Sequence, residues 1–133
     1  PLLDRIDIFT ETIILKYGEI SNSDKGENSY NVRKRIEKVH HIQKERYKND
    51  GILFNSELSA GMIKRYCVMD NEAKEYLENI FENMEFSARA YHKVLKTART
   101  IADMDESGEI KRKHISEAVC YRTADKKYWG VTM

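Results

Sequence analysis

The chain has 133 residues, enough for one domain with a core of its own, and is 34% charged and 41% hydrophobic. Its 23 Lys and Arg stand against 22 Asp and Glu, a formal net charge of +1. That balance excludes the strong basic excess of a dedicated nucleic-acid module, so any such contact must be local. No apolar run is long enough to span a membrane and no secretory signal opens the chain, so a cytoplasmic protein with no membrane partner is expected. Cys67 and Cys120 lie in helical patterns without a CxxC spacing, which fits buried thiols in a cytosolic protein.

The chain opens on Pro1 inside an apolar pattern, PLLDRIDIF, which reads as the interior of a longer protein. Ile6 and Ile8 alternate with Asp7, and Thr10, Thr12 and Ile13 favour extended backbone, so Ile6 to Ile13 is predicted as a strand. Its sheet partner would lie outside this chain. Residues 18–29, GEISNSDKGENS, have no periodicity and form a linker. The predicted organisation is a strand remnant over 1–17, the linker over 18–29, and a helical domain over 30–133. The fold class is mostly α, a helical bundle.

Tyr30 to Lys48 is a predicted helix and the most basic stretch, with Arg33, Lys34, Arg35, Lys38, Lys44 and Arg46. Such a run is either a solvated face or a contact for nucleic acid or a neighbouring subunit. Asn49-Asp50-Gly51 ends it, with Gly51 suited to left-handed backbone. A short helix is expected from Ser56 to Cys67. Asp70 caps the next, where Ala73, Tyr76, Leu77, Ile80, Phe81 and Met84 fall on one face.

Ser87 to Asp105 is the clearest helix. Ser87 is its N-cap, and Ala88, Tyr91, Val94, Leu95, Ala98, Ile101 and Ala102 make an apolar face. Arg89, Lys93, Lys96 and Arg99 are placed on the surface. Arg89 sits in the first turn, where the helix dipole disfavours a cation by a few tenths of a kcal/mol. A guanidinium beside the N–H groups of a helix start also suits a phosphate, and both readings stay open on spacing alone. Ser107-Gly108 breaks the chain, Lys113 to Arg122 is the last helix, and Trp129 is placed against the bundle or in a loose tail.

Recognised catalytic patterns are absent. There is no GxxxxGK[ST], no HExxH and no paired-cysteine site, so no metal ligand is predicted. His40, His41, His92 and His114 are read as surface or packing residues.

Three stretches then combine: Leu2-Leu3-Asp4-Arg5-Ile6-Asp7, Arg65-Tyr66-Cys67 to Ala73, and Ser87 through Arg122, with SARAYHKVLKTARTIAD followed by HISEAVCYR the densest. Together they resemble the C-terminal part of the magnesium-chelatase-like AAA+ ATPases of the YifB/ComM (competence) subfamily, over nearly the whole chain. Phe86 stands where the family usually has leucine. The resemblance implies ring-forming ATPases, with a homo-oligomeric hexamer expected, ATP and Mg2+ held mainly by a part preceding this chain, and work on DNA. It implies an arginine finger at Arg5 and a sensor-2 arginine at Arg89 in the lid. The chain alone, lacking the P-loop, is not expected to be active. A stand-alone helical module binding protein or nucleic acid, and a magnesium chelatase subunit, remain alternatives.

Overall fold

The computed structural model describes residues 5–14, 17–18, 26–84 and 86–129, with the side chains of 123–129 excepted. Among the described residues five α-helices follow in order: α1, Ser29–Tyr47; α2, Ala60–Tyr66; α3, Asn71–Met84; α4, Ala88–Met104; and α5, Arg112–Trp129. A 3-10 turn, Asn55–Glu57, lies between α1 and α2. The fold is the mostly helical bundle expected. Helix α4 is its centre, touching α5, α1, α2 and the 3-10 turn, while α3 packs on α5.

The caps follow from side-chain chemistry. The Asn28, Asp70 and Ser87 side chains accept backbone N–H groups of Asn31, Ala73 and Ala90 at 3.0, 2.8 and 3.1 Å. Each satisfies a donor that the first helical turn leaves without an intrahelical acceptor. The apolar faces then close on one core. Val94, Leu95, Ala98 and Ala102 of α4 meet Ala73 and Leu77 of α3, Ile115, Ala118 and Val119 of α5, and Ile63 of α2. Each buried Leu or Ile contributes about 1.5–3 kcal/mol. Val68 and Asp70 exchange backbone bonds with Ile110, forming a parallel bridge between Met69 and Ile110 that ties the entries of α3 and α5 together.

Several expectations are corrected. Residues 6–14 form no strand. They run as irregular chain, and the Phe9 N–H goes to the Tyr121 carbonyl of α5 at 2.9 Å. Two alternating isoleucines fit a strand, but among the described residues no second strand is present to pair with. The Ser56 helix is two elements, because Leu58 leaves helical geometry and Ser59 recaps the chain at Met62. The last helix runs past Arg122 to Trp129, whose side chain lies outside the described residues. Residues 19–25 of the linker also lie outside them, and Ser29 already belongs to α1. Cys67 is buried, and burial pushes its thiol up to about 11. Cys120 is exposed, because it falls on the outer side of α5.

The largest correction is Arg99, which is 1% exposed rather than on the surface. It donates through Nε to Asp103 Oδ1 at 3.1 Å, and through Nη1 and Nη2 to the carbonyls of Gly108 and Ser107 at 2.9 and 2.6 Å. Asp103 is equally buried and also accepts both guanidinium ends of Arg46 from α1. Asn55 completes the cluster. Its amide donates to Asp103 Oδ2 and Thr100 Oγ1, both at 2.9 Å, its oxygen accepts from Tyr47 at 2.6 Å, and its N–H donates to Gln43 at 3.1 Å. Isolated buried charges are costly, and a fully bonded set is how a fold accommodates them.

The α4–α5 turn closes without glycine in the left-handed position. Glu106 takes it, at φ 53°, while Glu106 N–H and Ser107 N–H donate to the Asp103 and Ala102 carbonyls. This is a Schellman closure. Gly51 is left-handed after α1, at φ 71°, as its sequence context suggests. His114 caps α5: its Nδ1 accepts the Lys111 N–H at 3.0 Å, which leaves Nε2–H to donate to Asp105 at 3.1 Å. Bonds from Lys113 and then His114 hold the Asp105 carboxyl below its usual range.

Asp103→Ala leaves Arg46 and Arg99 without their shared counter-charge, and urea unfolding is expected to show a loss of about 3–5 kcal/mol. A loss under about 1 kcal/mol, the value of a surface pair, would refute the role given to the cluster. Asp105 has a folded pKa below its unfolded value of about 3.9. Its contribution is therefore in place above that pH and lost as pH falls through the lower folded value. Thermal midpoints measured from about pH 5 to about pH 2.5 should drop less steeply in Asp105→Asn than in the parent.

Candidate functional site

Arg89 lies where the sequence places it, exposed in the first turn of α4. Ser87 already serves the Ala90 N–H, and no acidic residue occupies that turn. Among the described residues Arg89 has no ion-pair partner, so its guanidinium and the positive helix end present one concentrated charge to solvent. Arg5 is exposed as well, and likewise has no ion-pair partner among the described residues.

One contact links the segment after Arg5 to the helix that Arg89 begins. Asp7, two residues after Arg5, is paired to Lys93 Nζ at 2.7 Å. Lys93 is one helical turn beyond Arg89 and so shares its side of α4. Two residues of chain span at most about 7 Å, which bounds the distance between the Arg5 and Asp7 backbones.

Beside this contact runs a groove of about 530 Å³, between residues 7–8, α4 and α5. Most of its polar groups are already engaged. Lys93 pairs with Asp7, Lys96 donates to the Ser56 carbonyl at 2.9 Å, and Thr100 donates to the Lys96 carbonyl at 3.0 Å. What remains is largely apolar, from Ile8, Ile101 and Met104. The groove is therefore a poor anion site.

The basic helix is less basic than its sequence. Arg46 turns inward to Asp103. Arg35 pairs with Glu27, Lys38 with Glu106 at 2.6 Å, and Lys34 lies 4.7 Å from the Tyr30 ring centre. Arg33, Lys34 and Lys38 nevertheless remain on the exposed face. Among the described residues no group of three or more His, Cys, Asp or Glu could hold a metal ion, and no helix is long and apolar enough to cross a membrane.

Sequence reasoning missed Asn55, Arg46 and Arg99 as one unit. The only local signal was the spacing of Arg99 and Asp103, four apart on α4.

Residues 26–122, from just before α1 into α5, match the family described as magnesium chelatase, subunit ChlI C-terminal. YifB of Salmonella typhimurium is 37% identical over 127 residues, covering 95% of this chain and 24% of that protein. The competence protein ComM of Haemophilus influenzae is 37% identical over 123 residues, covering 92% and 23%. YifB of Escherichia coli is 35% identical over 127 residues, covering 95% and 24%. The chain spans about a quarter of the length of these curated relatives. With the match running through every helix that builds the core and the α4 start, the chain belongs to the magnesium chelatase subunit ChlI C-terminal family.

Proposed function

We propose that this chain is the helical lid and C-terminal part of a cytoplasmic AAA+ ATPase that assembles as a homo-oligomeric ring, expected to be a hexamer, and acts on DNA. The observation that carries the reading is Arg89, an exposed guanidinium with no ion-pair partner among the described residues, at the start of the central helix. The α4 start suits a phosphate oxygen, through bidentate charge-assisted bonds and the helix end together. Family membership supports the lid assignment, and a relative named as a competence protein supports DNA as the client.

When bound, ATP with Mg2+ supplies the phosphoryl group to be transferred, and the rest of the ring protein would hold most of it. This chain contributes positive charge. Arg89 would contact the bound nucleotide, so that α4 follows the nucleotide state. Arg5 would reach the neighbouring subunit's nucleotide and offset charge on the terminal phosphate oxygens as the bond breaks. A finger supplied from a neighbour also makes hydrolysis depend on assembly. The exposed face of α1, carrying Arg33, Lys34 and Lys38, would face DNA.

In the full-length protein carrying this segment, Arg5→Ala should lower ATP hydrolysis by about 10³-fold or more. Arg89→Ala should remove most of the rate while the thermal midpoint stays at the parent value. Equal hydrolysis in parent and Arg89→Ala would sink the lid reading and leave a helical binding module. For DNA, changing Arg33, Lys34 and Lys38 together to alanine should flatten the dependence of log K on log[salt] by about 0.9 for each phosphate no longer neutralised. An unchanged slope would rule this face out.

A further inference from the structure

Residues 6–9 have no regular structure that would hold them in place, yet side-chain and backbone contacts pin them across two helices. Arg122 Nη1 donates to the Ile6 carbonyl at 2.5 Å. The Arg122 guanidinium carbon also lies 5.6 Å from the Phe9 ring centre. Asp7 pairs with Lys93 of α4 at 2.7 Å. Phe9 N–H donates to the Tyr121 carbonyl of α5 at 2.9 Å. The contacts at 6, 7 and 9 alternate between α5 and α4, so the segment bridges the pair rather than lying on one helix.

The two anchoring cations are not ordinary surface groups. The Lys93 side chain is 16% exposed, and Arg122 is 4% exposed as a residue. A partly desolvated ion pair is screened less than a surface pair and holds its geometry better. The bond from Arg122 reaches a backbone carbonyl, so it fixes the path of the chain and does not depend on the Ile6 side chain.

We propose that Lys93 and Arg122 are positioning residues for Arg5, forming a strap that makes Arg5 move with helix α4. This rests on the roles proposed above for Arg5 and Arg89. Because Arg89 begins α4 and Lys93 sits one turn further on, a tilt of α4 that follows the nucleotide at Arg89 displaces Asp7, and Arg5 with it. The two arginines are coupled through two short stretches, Arg5 to Asp7 and Arg89 to Lys93, without a large rearrangement.

The test uses the full-length protein with Lys93→Asp, Asp7→Lys and the double swap, chosen because Asp7 is exposed and the pair can be rebuilt with reversed sign. Hydrolysis gives kcat and KM for ATP, and amide hydrogen exchange at Phe9 reports the strap independently of activity. Each single variant should lose about 10- to 100-fold in kcat, the scale of a small misplacement of a reacting group, with KM nearly unchanged. Phe9 exchange should accelerate, and the double swap should restore both. Unchanged kcat in the single variants, with Arg5→Ala strongly impaired, would overturn the strap while leaving the finger in place. A fall in kcat with unaltered Phe9 exchange would overturn it too. If Arg5→Ala hydrolyses like the parent, the finger reading fails and the strap has no catalytic role. Arg122→Lys, which keeps a donor and a charge, should lose less kcat than Arg122→Ala; equal losses at matched thermal midpoints would remove Arg122 from the strap.

Discussion

The bundle turns on a carboxylate that water does not reach. Asp103 sits near the end of α4 and takes bonds from Arg99 on its own helix, Arg46 on α1 and Asn55 in the 3-10 turn. Apolar packing alone would let α1 slide along α4, because a stripe of alanines and valines tolerates small shifts. A directional set of bonds to one carboxylate does not tolerate them. Arg99 extends the constraint by gripping the Ser107 and Gly108 carbonyls, so the same charge cluster sets where α5 begins. The position of α1, the length of α4 and the α4–α5 angle are settled at one point.

What could be read in advance was local. The caps at Asp70 and Ser87 and the apolar faces of α3 and α4 follow from residues within one or two turns of each other, and they were legible. Arg99 was not, because residue type places a guanidinium in water unless a partner is known. Two of its partners are carbonyls in a loop, and the third is a carboxylate shared with residues from another element. Asn55 carried no signal at all, since its four side-chain partners, Arg46, Tyr47, Thr100 and Asp103, come from α1 and α4. The candidate site divides along the same line. Arg89 at a helix start could be singled out from spacing, but its role and that of Arg5 came only from resemblance. The link between the Arg5 segment and α4 depends on Asp7 meeting Lys93, a contact between distant parts of the chain.

The strand expected over Ile6 to Ile13 shows how a correct local pattern can lead to a wrong element. A strand needs edge bonds from a neighbour, and here the Phe9 N–H and the Ile6 carbonyl find helix α5 instead. The same short stretch now serves bridging: the Ile6 carbonyl and Phe9 meet α5 while the Asp7 side chain meets α4. The same reassignment reshapes the basic helix. With Arg46 drawn inward, most of the exposed positive charge on α1 lies toward its N-terminal half, with Lys44 beyond it, while Gln43 and Tyr47 of its C-terminal half are buried.

The Schellman turn at Glu106 bears on how the chain finds this arrangement. The α4–α5 hairpin closes over a few residues, with backbone bonds and Arg99 all local to it, so little chain entropy is lost in bringing the two helices together. The link from α1 to Asp103 spans 57 positions and must wait for a much larger loop to close. Assembly is therefore ordered by loop length, with the α4–α5 hairpin as the local template and α1 as the late addition. The buried carboxylate stays hydrated until α1 arrives, so its desolvation and the arrival of Arg46 coincide, and no stage of folding has to bear that charge bare.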